Sequence, residues 1–247
     1  MAPTTQGKRL TEGHRIAQLT LSAEVARKVA ALWPLMAAGD DATAWVEAVI
    51  RLLMDEFQVS AAVARQYYTQ FREAETGEPP PFVDFPVVEP QPEVMRVGLI
   101  SHGPFVLAKQ LKMGRLWEIA QQRARADASA EAIRLAAEGG RQQILESIKK
   151  DSGSLGWARV VGGKPCAFCA MLASRGPAYK GRSSATFQAH PSCGCTAEPV
   201  FSRSQPWPEG SEKFKQIYET AKRTAKEEDG NVTNVFRRMV ESPRDGA

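Results

Sequence analysis

Several features that would commit a sequence to a familiar kind of chemistry are missing from this 247-residue chain. No run approaches the roughly 18 apolar residues of a membrane span, and Met1 to Leu10 lacks the basic-then-apolar profile of a secretory signal. A soluble protein made and kept in a cytosol is therefore expected, with no membrane as partner. The net charge of +4 is too small to argue for nucleic acid by itself. No convergent acid/base pair is visible. Ser101 and His102 are adjacent and lack an acidic orienter, so they make a poor hydrolytic pair, and the chain is not expected to be an enzyme.

Cysteine is scarce as well, but its placement is not random. All four cysteines and one of the three histidines fall within thirty residues, as Cys166-x2-Cys169-x20-His190-x2-Cys193-x-Cys195. Cytosolic thiols stay reduced, so such a cluster points to a metal site before it points to disulfides. In Cys-x2-Cys a knuckle brings both sulfurs to one side at the roughly 2.3 Å that zinc requires, and in Cys-x-Cys an extended backbone presents both side chains to one face. Tetrahedral zinc takes four ligands whereas Cys166, Cys169, His190, Cys193 and Cys195 offer five. Zinc is the cofactor expected. A Cys166–Cys193 or Cys169–Cys195 disulfide, plain buried free thiols, or a low-pKa cysteine with His190 as base remain the competing readings.

Pro165-Cys166-x2-Cys169 also reproduces half of the zinc-deaminase signature. That signature needs a glutamate two residues after a histidine or cysteine, and no histidine or cysteine here has one. The likeness extends to the knuckle and stops short of the enzyme.

Around the cluster the chain reads as helices and linkers, with 43% hydrophobic content for a core. In residues 1–75, Trp45, Val49, Leu52, Leu53 and Phe57 recur at helix spacing, as do Val63, Tyr67 and Phe71. Three helices are predicted there, with Asp40 or Asp41 capping the second and Ser60 the third. Trp33, Trp45, Tyr67 and Phe71 read as core. Six of the sixteen prolines lie in residues 76–93, which makes that stretch a spacer. Its interspersed Phe82, Val83, Phe85, Val87 and Val88 suit an extended arm lying along a neighbouring surface. Glu78, Asp84, Glu89 and Glu93 occur there without a basic residue. Residues 94–152 are helical again, with interruptions predicted near Gly103-Pro104, Gly114 and Gly139-Gly140. Ala120 to Ala137 is rich in alanine and arginine, which favour helix and permit close packing.

Residues 153–203 form the cluster module: a strand at Trp157 to Val161, a turn at Gly162-Gly163, and a returning strand from Cys195 to Phe201. Residues 141–182 carry eight Lys/Arg against Glu146 and Asp151, an excess of six. Arg159, Lys164, Arg175, Lys180 and Arg182 are thus candidate phosphate contacts, and a nucleic-acid-binding zinc protein is the alternative function. The 204–247 tail places Phe214, Ile217, Tyr218 and Ala221 at helical spacing beyond Pro206-Trp207-Pro208. One or two amphipathic helices are expected, docked on a partner or folded back. The fold class is therefore mainly α with a small α+β module: an N-terminal helical bundle, long helices, a Cys/His-stapled strand-turn knot and a C-terminal helical tail.

The run from Gly156 to Gly176, containing Gly-Gly-Lys-Pro-Cys-Ala-Phe-Cys, and Phe187-Gln-Ala-His-Pro-Ser-Cys-Gly-Cys195 strongly resemble the MuF-like minor capsid proteins of tailed phages of actinobacteria. Ala30-Ala-Leu-Trp-Pro-Leu35 and Phe71-Arg-Glu-Ala-Glu75 are similar to the helical half of that group, so the resemblance spans most of residues 20–201. It implies a virion component without a reaction of its own, in the capsid interior and, during assembly, in the host cytoplasm. The implied partners are the portal protein, the major capsid protein or scaffold, and packaged double-stranded DNA. Relatives often carry Phe-His-Ala-His where this chain has Phe187-Gln188-Ala189-His190, so only His190 is carried over as a ligand.

Overall fold

Two helices of 34 residues set the frame of the molecule, and the periodicity of their small and apolar residues explains why they lie so close. The computed structural model describes residues 4–37, 42–162, 164–177, 186–208 and 210–241. Among these, the order is α1 (Thr5–Leu32), α2 (Pro34–Ala37), α3 (Thr43–Thr76), α4 (Pro92–His102), α5 (Pro104–Lys112), α6 (Trp117–Lys150), β1 (Gly156–Val160), α7 (Ala167–Ala173), β2 (Thr196–Val200), α8 (Glu212–Glu227) and α9 (Val232–Glu241). β1 and β2 pair antiparallel, Gly156 opposite Val200 and Val160 opposite Thr196.

α6 buries Ala120, Ala124, Ala128, Ala132 and Ala136, one residue per turn, which gives it a smooth stripe along its inner face. α3 supplies the larger side chains, with Trp45, Val49, Leu53, Phe57, Tyr68 and Phe71 all buried. The contacts of α3 with α6 advance in the same direction, from Phe57 beside Gly139 to Arg72 on Asp151, so the two helices run parallel. α1 runs against them: Trp33 meets Trp45, Lys28 pairs with Glu56, and Thr11 reaches Tyr67. One apolar core lies between these helices, α4 and α5; a second joins the far ends of α3 and α6 to the sheet, α7, α8 and α9.

Several expectations need correcting. The second and third helices expected in the first region are one continuous helix, α3, which follows α1 and the four-residue α2. Ser60 is not a cap but a buried residue inside α3, where its hydroxyl donates to Gln18 Oε1 at 2.8 Å and accepts from the Gly140 amide at 2.9 Å. Asp40 and Asp41 lie outside the described residues. The helix break read at Gly139-Gly140 does not occur, because α6 continues through it. A Cβ at Gly139 would stand 2.1 Å from the Phe57 carbonyl oxygen, so this glycine is there to let two backbones touch. The breaks at Gly103-Pro104 and Gly114 are present, between α4 and α5 and between α5 and α6.

The proline-rich 76–93 segment is packed as an arm and does not hang free as a spacer. Phe82 and Phe85 sit against Tyr68, Val88 is buried, Gln143 donates to the Pro86 carbonyl, and Lys150 donates to that of Asp84. α6 belongs to both cores, so the boundaries at 75, 93 and 152 mark turns of the chain and do not separate packed bodies. A buried ion pair closes this end: Arg72 Nε on Asp151 at 2.7 Å, with Tyr68 Oη donating to the same carboxylate and Arg72 also donating to the Glu78 and Pro79 carbonyls. The tail folds back: Phe214, Ala221, Ala225, Val235 and Phe236 are buried in the second core with α7.

Candidate metal centre

The short sheet positions both halves of the cysteine cluster. β1 leads through residues 161–165 to Cys166, which is the N-cap of α7 and accepts a hydrogen bond from the Cys169 amide at 3.3 Å. The Cys166/Cys169 pair therefore sits at a helix start, and the first helical turn sets both sulfurs on one side. The other half precedes β2. Ser192 takes a positive φ of 61°, its amide donates to the Ala130 carbonyl of α6 at 2.7 Å, and Cys193 and Cys195 follow into the core.

All five candidate ligands come together. Cys166, Cys169 and His190 form one triad and Cys169, Cys193 and Cys195 another, with every ligand atom of a triad within 4.8 Å of the others. Cys169 is the shared corner. Its sulfur lies 3.6 Å from Cys193 Sγ and 3.6 Å from His190 Nε2, while Cys166 Sγ is 2.9 Å from the same nitrogen. Tetrahedral zinc, at roughly 2.3 Å to sulfur and 2.0 Å to nitrogen, separates its ligand atoms by about 3.5 to 3.8 Å. The two 3.6 Å separations from Cys169 suit such an ion, which would hold Cys166 Sγ and His190 Nε2 farther apart than their present 2.9 Å. The sulfurs are too far apart for disulfide bonding, and all four cysteines are free thiols.

The surroundings match this use. His190 Nδ1 lies 2.7 Å from the Pro191 carbonyl, which can only accept, so Nδ1 carries the proton and Nε2 offers its lone pair to the sulfurs. Arg141 of α6 is buried and donates to the Cys193 and Cys195 carbonyls, fixing the loop that carries both thiols. Arg159 of β1 stacks on Phe187 at 3.8 Å, donates to the Gln188 carbonyl and reaches Cys169 Sγ at 4.0 Å. Two buried guanidinium groups thus lie beside a site whose thiolates would otherwise be an uncompensated negative charge. The Cys193 thiol is held below its usual range by hydrogen bonds from Cys169 and then Cys195, with the charge of Arg141 adding to them. On the outer side, Cys166 and His190 open into a cleft of about 210 Å³ that Arg15 and Lys164 also line.

Of the candidate phosphate contacts, Arg159 is 1% exposed and committed to the interior, which overturns its assignment to nucleic acid. Lys164 and Arg175 are exposed, and Lys180 and Arg182 lie outside the described residues. Arg141, counted in the sequence only as local charge, turns out to support the cluster, and nothing in its spacing announced that. Glu198 was also passed over. It is buried on β2, accepts from Thr11 Oγ1 at 2.7 Å and Gln205 Nε2 at 3.3 Å, and has no ion-pair partner among the described residues. Burial pushes its carboxyl up to about 7 against the pull of those two hydrogen bonds. A charged residue within Thr196-Ala-Glu-Pro-Val200, between positions that read as strand core, was the available signal. No helix among the described residues is long and apolar enough to cross a membrane.

No curated protein and no solved structure matches the chain. The VG15 protein family matches residues 1–221, a span that takes in the long helices, the sheet and the whole cysteine cluster. The chain therefore belongs to the VG15 protein family, a family of phage (viral) gene products.

Proposed function

We propose that the protein is a minor capsid component of a tailed phage, placed at the portal vertex inside the head and acting in head assembly or in genome packaging and delivery. The observation that carries this reading is the family match, because it runs through the helical half and the cluster alike, the two regions that resemble MuF-like proteins. In this reading Cys166, Cys169, His190 and Cys193, with Cys195 behind them, hold one zinc ion. When bound, zinc would supply cross-linking of the two loops and no reaction. The chain's own part is to fix the imidazole through Pro191, to hold the Cys193–Cys195 loop through Arg141, and to cover three of the four sulfurs.

The 2.9 Å contact of Cys166 with His190 also has the reach of a thiol and its base. A ligand role accounts for more of the site, because Cys169 crowds the same imidazole nitrogen and Cys193 crowds Cys169 in turn. The nucleic-acid reading is weakened, since Arg159 is spent inside the protein. Cys166→Ser with Cys169→Ser, introduced into the phage, tests the proposal: heads are expected to incorporate less of the protein and particles to lose infectivity. Particles of wild-type composition and infectivity would refute it, and turnover of a substrate that depends on Cys166 would replace it with an enzymatic role.

A further inference from the structure

The two ends of α6 carry surfaces that are alike in being apolar and opposite in charge. At its N-terminal end, Phe105 of α5 is 63% exposed, and Met113 and Leu116 in the following turn are 60% and 68% exposed, with Trp117 beside them. Lys109, Lys112 and Arg115 accompany this surface, exposed and without an ion pair among the described residues, against the single acid Glu118. Large apolar side chains gathered on one surface are uncommon on a monomer, whereas scattered ones are ordinary.

The opposite end carries the proline-rich arm. Lys150, the last residue of α6, donates to the Asp84 carbonyl at 2.6 Å and lies over the Phe82 ring, which places the arm there. Val83 and Val87 are 95% and 78% exposed. Glu78, Asp84 and Glu89 lie on the same segment, also exposed and outside any ion pair among the described residues. The 34 residues of α6 place Lys150, beneath Asp84 of the arm, about 50 Å from Trp117 at the other end.

We propose that a second copy of this chain is the partner, bound head to tail, with the basic apolar end of one copy seated on the acidic apolar arm of the next. Charge complementarity selects this occupant and this arrangement. A symmetric contact of basic end with basic end would set Lys109, Lys112 and Arg115 against themselves, and an arm-to-arm contact would do the same with Glu78, Asp84 and Glu89. A head-to-tail contact leaves an unused surface at each end of the pair, so it propagates, closing into a ring if the rotation between copies allows and otherwise forming a filament. The inference does not depend on the capsid reading.

Sedimentation velocity of the full chain over a range of concentrations tests it. Association that grows with concentration and weakens with salt is expected. Lys109→Glu/Lys112→Glu/Arg115→Glu has two acidic ends and Glu78→Lys/Asp84→Lys/Glu89→Lys two basic ends, so each is expected to remain monomeric alone. An equimolar mixture is expected to regain association, a rescue that neither misfolding nor a general loss of solubility would produce. All six positions are exposed, and circular dichroism should show both variants folded. A wild-type chain that stays monomeric at every concentration overturns the proposal, as does a mixture that fails to associate. So does a monomer whose basic end instead binds anionic lipid vesicles.

Discussion

Replacing Glu198 with Gln should convert a pH-dependent stability into one nearly independent of this residue. In the folded chain the carboxyl is buried, meets only the neutral donors Thr11 and Gln205, and is pushed up to about 7 from an ordinary value of 4.5. An acid whose proton is held more tightly in the folded state stabilises that state below the unfolded pKa, and the benefit is lost as pH rises through the folded pKa. The two values differ by about 2.5 units, which corresponds to about 3 kcal/mol in full and to about 2 kcal/mol between about pH 5.5 and about pH 8. Glutamine keeps the shape and hydrogen bonds of the protonated acid and cannot ionise. The variant should therefore gain on wild type by about 2 kcal/mol over that window. His14 acts in the opposite sense: burial pushes its imidazole down to about 3 from 6.5, so it destabilises the fold as pH falls below its unfolded value. Both proteins contain His14, so its contribution cancels in the difference. Urea unfolding of both across the window measures the gap. A gap that stays constant with pH, or narrows as pH rises, would refute the buried, unpaired carboxyl.

The remaining predictions concern the metal and one helix contact. Purified chain should carry about one equivalent of zinc, and Cys169→Ser, at the corner the two triads share, should lose it and lower the midpoint of unfolding as a chelator does to wild type; metal retained in that variant would remove Cys169 from the ligand set. Gly139→Ala should destabilise the protein by about 2 kcal/mol, because its Cβ meets the Phe57 backbone, whereas Gly13→Ala, with nothing within 4 Å, should stabilise by up to about 1 kcal/mol; equal effects in thermal melts would contradict the close contact of α3 with α6.

Periodicity and breakers made part of this fold legible. The apolar spacing from Trp45 to Phe71 marked a buried helix face, Gly103-Pro104 and Gly114 marked real breaks, and the strands were read within a residue or so of β1 and β2. The failures share a cause, which is that local chemistry has more than one use. Ser60 and Gly139-Gly140 have the composition of helix ends, yet in α3 and α6 they serve a contact between residues about eighty positions apart. The cluster was visible because five ligand residues close in sequence are close in space. What surrounds it was not, since an arginine that holds a carbonyl inside, such as Arg141 or Arg159, is written with the same letter as one that meets phosphate outside.

The Arg72–Asp151 pair has a kinetic meaning beyond its geometry. Its satisfaction needs three stretches at once: the end of α3, the carbonyls of Glu78 and Pro79, and the end of α6. Any intermediate that buries one partner before the others arrive holds an uncompensated charge, a cost of about 3 to 5 kcal/mol when a buried pair is broken. A chain that has ordered only one of these stretches must leave Arg72 or Asp151 in water, so burial of this end is expected to be cooperative.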